Sequence, residues 1–119
     1  MAAIDIEQTK NPYFGGKSPP QYIFEDEQCI VFEADEDRQA PVHFIVVPKK
    51  VLPRLSVATE EDERLLGHLL IVSRHVAKLK GISDSGFRVV MNEGKHGGQT
   101  VNQFHIQVFG GRQMYWPFG

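Results

Sequence analysis

Between Gly97 and Phe109 the sequence reads GGQTVNQFHIQVF, which sets a single imidazole, His105, between Gln103 and Gln107 at two-residue spacing. On a strand, side chains alternate, so Phe104, Ile106 and Val108 share one face while Gln103, His105 and Gln107 share the other, away from the core. A neutral imidazole placed this way is a candidate nucleophile. One ring nitrogen attacks while the other N–H is held by an acceptor, for which a backbone carbonyl is enough. The flanking carboxamides can donate N–H groups to phosphoryl oxygens, but they do not titrate and cannot deliver a proton. Just upstream, Gly97 and Gly98 let the backbone approach a ligand and Thr100 adds a hydroxyl, so the loop could cradle an anion. Alternation alone fits a solvent-facing strand equally well, and a diglycine fits an ordinary turn. It is the conjunction of glycine loop, hydroxyl and histidine that suggests a phosphate site. One histidine between glutamines offers too few ligands for a closed tetrahedral zinc, so neither a metal nor a cofactor is expected.

The elements that must hold this segment can be read from the pattern. QYIFED and QCIVFEA, separated by acidic turn residues, predict a hairpin, and VHFIVVP (Val42 to Pro48) predicts a third strand stopped by its proline. Thr59 followed by Asp62 resembles a capping box. Leu65, Leu66, Leu69, Val72, Val76 and Leu79 then recur at helical spacing up to Gly81. FRVVMN and NQFHIQVF predict two further strands joined by EGKHGGQT. One long helix among five strands implies an α+β domain, the helix packed on one face of a mainly antiparallel sheet. The prolines and glycine pair of NPYFGGKSPPQ predict an irregular N-terminal arm over residues 1–20 ahead of a single domain over 21–119.

At 119 residues there is room for one core. Thirteen Lys and Arg against fifteen Asp and Glu, without a basic run, exclude nucleic acid and an anionic membrane as expected partners. The lone Cys29, in CIVF, reads as a buried strand position in a reducing compartment. Met1 to Lys10 lack the apolar core of a secretory signal, and no stretch approaches the roughly 18 apolar residues of a membrane span. A soluble cytoplasmic protein is expected, with the nucleus also open to it.

Longer blocks carry a resemblance. FEDEQC (Phe24 to Cys29), QAPVHFIVVPKK (Gln39 to Lys50), LLGHL (Leu65 to Leu69), VVMNEG (Val89 to Gly94), GGQTV (Gly97 to Val101) and GGRQMYWPFG (Gly110 to Gly119) resemble the Hint branch of the histidine triad (HIT) superfamily. The resemblance implies a HIT-like fold with its sheet extended across a homodimer, and a purine nucleotide of the AMP or GMP type as ligand. It implies hydrolysis or transfer of a nucleotidyl group, from a phosphoramidate or acyl-nucleotide, through a nucleotidyl-histidine. The family signature HxHxHxx is met here by Gln103, His105 and Gln107, so only the middle, nucleophilic histidine is kept. The related hexose-1-phosphate uridylyltransferases also carry glutamine at the third position and still form the covalent intermediate. Loss of general acid help, worth roughly 10²–10⁴ in rate, implies slow turnover or a shifted substrate preference.

By the same resemblance His43 borders the active site, and Asn92, Gly98 and Thr100 lie at the phosphate. Asp35, with Asp37 in reserve, holds the ribose. Ile23 and Phe32 are expected as pocket walls ahead of Phe14. Trp116, in a C-terminal tail at the dimer interface, reaches the partner's site. His68 and His75 are expected as partly exposed helix positions. Lys95 and His96 are either solvated loop groups or, for His96, a substitute proton donor. The function left open is an enzyme or, alternatively, a catalytically weakened nucleotide-binding or scaffold dimer.

Overall fold

The structure, a computed structural model, describes residues 21–35, 38–117 and 119. The described chain runs β1 (Tyr22–Glu25), β2 (Cys29–Glu33), β3 (Val42–Pro48), α1 (Glu63–Leu79), β4 (Phe87–Val90) and β5 (Ile106–Gly110). The strands form one antiparallel sheet in the order β1-β2-β3-β5-β4, so the expected α+β architecture of five strands and one long helix is present. The expected arm over residues 1–20 lies outside the described residues.

Strand alternation divides the apolar side chains between two faces. Cys29 and Val31, Phe44 and Val46, and Ile106 and Val108 all face α1, where they pack with Leu69, Val72, Val76 and Ala77. Ile30, Phe32 and Val47 form a second cluster on the opposite face, edged by Tyr22 and Ile45. Directly opposed residues of an antiparallel pair share a face. The pairs Ile45–Gln107 and His43–Phe109 therefore carry the polar residues of β3 and β5 onto this second face.

The helix begins as its sequence predicts. Thr59 N donates to Asp62 Oδ2 at 3.0 Å and Thr59 Oγ1 accepts from Glu61 N at 3.3 Å, closing a capping box over a 3₁₀ turn, Glu60–Asp62, that leads into α1. Leu79, expected to face inward, is instead 62% exposed. It lies at the margin of the apolar stripe in the final turn, and Ile82, past the left-handed Gly81 (φ 75°), fills the core position in its place.

A cluster of polar groups fastens α1 to the β1–β2 turn. Asp26 Oδ1 accepts from the backbone N–H groups of Gln28 and Cys29, each at 2.8 Å, and Oδ2 accepts from His68 Nε2 at 2.6 Å. Burial alone would raise the Asp26 carboxyl, but these hydrogen bonds outweigh it and hold the group below the usual carboxylate range. The neighbouring Cys29 is fully buried, and burial together with the Asp26 charge pushes its thiol up to about 12, an unreactive setting. His75 meets the Phe24 ring edge-on at 5.6 Å. No described helix is long and apolar enough to cross a membrane.

Candidate active site

The segment carrying His105 departs from the uninterrupted strand expected of NQFHIQVF. Gln103 N bonds back to Val101 O at 2.8 Å and Phe104 N bonds to Leu52 O at 2.6 Å, so β5 starts only at Ile106. The expected outward row of Gln103, His105 and Gln107 is thereby broken. Gln103 is completely buried, its Oε1 accepting from Leu52 N at 3.0 Å and its Nε2 donating to Lys50 O at 3.1 Å and Phe104 O at 3.4 Å. Both amide protons are thus committed to backbone carbonyls, and Gln103 is a clamp on the 50–52 loop rather than a donor to phosphate.

The backbone of the same residue does the orienting. His105 Nδ1 lies 2.8 Å from Gln103 O, and because a carbonyl can only accept, Nδ1 must carry the proton. The lone pair therefore resides on Nε2. Phe104 and Ile106 belong to the helix-side core, so the intervening His105 points to the opposite face, where the ring is 7% exposed. Burial lowers its basicity below the ordinary histidine value and so favours the neutral ring, partly opposed by the bond to Gln103 O.

His43 and Gln107 belong to a second, directed chain of hydrogen bonds. Gln39 N, which can only donate, lies 3.1 Å from His43 Nδ1, so Nδ1 accepts and the ring proton is on Nε2. Nε2 then donates to Gln107 Oε1 at 2.9 Å, Gln107 Nε2 donates to Asn92 Oδ1 at 2.9 Å, and Asn92 Nδ2 donates to Gly97 O at 2.7 Å. Backbone groups of fixed polarity close both ends, which settles both carboxamide orientations and leaves His43 with the pattern of a neutral imidazole. His43 is buried and stacked on Phe109 at 4.2 Å. Each carboxamide retains a second N–H that can be offered to a phosphoryl oxygen.

The loop at the far end of this chain is built on glycine for a steric reason. A Cβ on Gly97 would lie 2.1 Å from Glu93 O, and Gly98 sits at φ 78°. Gln99 braces the loop, accepting from Gly94 N at 2.8 Å and donating to Pro53 O and Val101 O. Thr100 is exposed beside it, and Lys95 and His96 are exposed on the turn. The sequence reading missed Gln99 and the backbone of Gln39. Only the position of Gln99 beside the glycine pair hinted at the former, and no side-chain signal marks the latter.

The HIT domain family matches residues 16–114. The chain belongs to the HIT family. It is 48% identical over 101 residues to an uncharacterized HIT-like protein of Synechocystis sp., covering 85% of this chain and 87% of that relative. In structure it is similar to a HIT family hydrolase from Legionella pneumophila Philadelphia 1, with TM-score 0.82 and 36% identity over 86% of this chain and 90% of that one. A histidine triad protein from Clostridium difficile aligns with TM-score 0.78 and 33% identity over 82% and 84% of the respective chains. The five-stranded sheet with its single long helix is the HIT fold.

Within this HIT domain the remaining candidates divide. Phe32 lies in the apolar cluster on the His105 face, whereas Ile23 packs against the helix-side core beyond a β1 irregularity and lines the opposite face of the sheet. Asp35 follows β2 as expected, its carboxylate exposed and paired with Arg38 at 2.9 Å. Asp37 and Phe14 lie outside the described residues. Trp116 is 83% exposed on the tail, which Arg88 holds through Tyr115 O at 2.8 Å. A cavity of about 480 Å³ beside the tail is lined by Phe87, Arg88, Arg112 and Met114, at the opposite end of β5 from His105. Among the described residues, Asp26, Cys29 and His68 bring possible metal-ligand atoms within 4.8 Å of one another. That carboxylate already accepts from two backbone amides and an imidazole, and the thiol holds its proton tightly.

Proposed function

We propose that the chain is a Hint-type HIT enzyme that binds a purine nucleotide and hydrolyses or transfers its nucleotidyl group through a covalent nucleotidyl-His105. The observation that carries this reading is the bond from His105 Nδ1 to Gln103 O, which holds a neutral imidazole with its lone pair on Nε2. Nε2 attacks the α-phosphorus, the leaving group departs on the far side, and water then cleaves the P–N bond to give the nucleoside monophosphate. Gln107 and Asn92 offer amide protons to the phosphoryl oxygens, with Gly98 and Thr100 completing the phosphate loop. Phe32 walls the base site, and Asp35 or Asp37 holds the ribose. His43 acts behind Gln107, fixing its carboxamide.

In this reading the protein is a cytoplasmic homodimer. β4 is an edge strand with exposed Phe87 and Val89, followed by exposed Met91, and α1 exposes Leu70 and Ile71, a combination suited to a two-fold contact that continues the sheet. The exposed Trp116 of each tail would then reach the partner's site.

Mass spectrometry after rapid quenching with an acyl-adenylate tests the covalent step: a nucleotidyl adduct on His105 is expected. Measurable AMP binding with neither adduct nor burst would favour a nucleotide-binding scaffold. Gly97→Ala tests the phosphate loop, since its methyl cannot fit against Glu93 O. AMP affinity is expected to fall by about tenfold or more, as for a lost polar contact, together with some loss of stability because the Glu93 backbone must give way. Unaltered affinity by calorimetry would remove the loop from the nucleotide site.

A further inference from the structure

We infer that the site acts on nucleotidyl donors whose leaving group departs as a stable oxyanion, carboxylate or phosphate, and that Gln107 is the residue that sets this restriction. The inference rests on the nucleotidyl-transfer reading and adds to it the class of donor.

A leaving group opposite His105 Nε2 takes the electron pair of its bond to phosphorus. From an acyl-nucleotide or a phosphoanhydride, the P–O bond breaks and the pair leaves on a carboxylate or phosphate oxygen that needs no proton. From a phosphoramidate, the P–N pair would leave on an amide anion, so nitrogen must be protonated as the bond breaks. In the intermediate the proton stays on Nδ1, which donates to Gln103 O. Water attack then returns the P–N pair to Nε2, and the proton lost by the water goes to solvent.

The hydrogen-bond chain shows why that proton is not on hand. Gln107, on β5 two residues beyond His105, shares the face of the sheet to which the His105 ring points, so in the nucleotidyl-transfer reading its amide meets the phosphoryl group. Its carboxamide cannot release a proton at neutral pH. His43, the imidazole behind it, gives its only N–H to Gln107 Oε1 and accepts from Gln39 N at the other nitrogen. It therefore has no proton directed at the substrate, and gaining one at Nδ1 would set two N–H groups against each other.

Among the described residues, the other charged groups near the site are engaged with protein partners or lie exposed on the turn of the loop. Glu93 accepts from Ser56 N at 2.9 Å, Arg88 donates to Tyr115 O, and Lys50 pairs with Asp62. Arg54 lies near Gly94 at the loop and, as a guanidinium, is not a proton donor at neutral pH. Lys95 and His96 are exposed on the turn, outside the hydrogen-bond chain. Gln107 and Asn92 stabilise the phosphoryl oxygens without protonating what leaves.

The test is a series of adenosine 5′-phosphate aryl esters whose phenols span several units of acidity, alongside adenosine 5′-phosphoramidate, with the full-length protein at pH 7.5. From the most to the least acidic phenol, kcat/KM is expected to fall by about a hundredfold or more, the scale of missing acid catalysis. Gln107→His is expected to raise the slow esters and the phosphoramidate relative to the fastest ester by about tenfold or more, a flattening of the series read as a ratio within the variant whatever its absolute rate. A flat series in the unaltered protein, with the His105 adduct present, overturns the restriction but not the covalent reading. So does efficient phosphoramidate turnover that His96→Ala abolishes, since His96 would then be the acid. No turnover and no adduct even with the most acidic ester sinks the covalent reading and the restriction with it. The ester series in the unaltered protein stands even if the Gln107→His variant does not fold.

Discussion

Alanine in place of His105 is expected to slow release of nucleoside monophosphate by on the order of 10⁴-fold or more, while AMP affinity changes by less than about threefold. The size follows from the role. Gln103 and Gln107 contain no nucleophile, and His43 keeps its Nδ1 lone pair in a bond from Gln39 N and its Nε2 proton on Gln107. Under the proposed mechanism, removing one imidazole removes the attacking atom, while the loop held by the Asn92–Gly97 hydrogen bond is left intact. The pH profile gives a second reading of the same group. Burial disfavours the His105 imidazolium more than the Gln103 carbonyl favours it, so the ring deprotonates below the ordinary histidine value. With an ester of an acidic phenol, kcat/KM should be level through pH 7 and decline only below that lowered value, as Nε2 takes up a proton. A midpoint above the ordinary histidine value, or an alanine variant keeping more than about a tenth of the rate, would remove His105 from the chemistry.

The architecture was legible because it depends on periodicity. The β-branched runs of β2 and β3, the capping box at Thr59 and the stripe from Leu65 to Val76 each reflect a local preference that packing reinforces. The end of α1 was not, because Leu79 and Ile82 compete for one core position and only the turn at Gly81 decides between them. At the site, His105 was identifiable by residue type and spacing, and the need for a carbonyl at its Nδ1 follows from imidazole chemistry. Alternation failed at Gln103, where the chain leaves the strand to bond with Leu52, about fifty positions away in sequence. The tautomer of His43 was equally hidden, since it is set by a backbone N–H that has no side-chain signature. Ile23 was misplaced because a β1 irregularity changes which face its side chain meets.

Gln103→Ala is expected to cost about 3 kcal/mol of unfolding free energy, a large effect for a residue that touches no substrate. In the native fold its carboxamide, wholly buried, serves Leu52 N, Lys50 O and Phe104 O at once. Truncation leaves at least one buried backbone donor and one acceptor without a partner, each at roughly 1–3 kcal/mol, and opens a cavity between the 50–52 loop and β5. A domain stable by about 5–15 kcal/mol still folds under that load, so the cost can be read from urea denaturation. The same loop fixes the Gln103 carbonyl that holds His105 Nδ1, so the rate of adduct formation should fall while AMP affinity holds, a split that destabilisation alone does not produce. Gln103→Glu separates hydrogen bonding from volume. At pH 7 its buried carboxylate cannot donate to Lys50 O or Phe104 O, and its folded-state pKa is raised by burial. That variant should therefore regain stability relative to the unaltered protein as pH falls toward 5, because the folded state binds the proton more tightly than the unfolded chain does. An unchanged urea midpoint for Gln103→Ala would mean that the loop is held elsewhere, and that the orientation of His105 does not depend on this clamp.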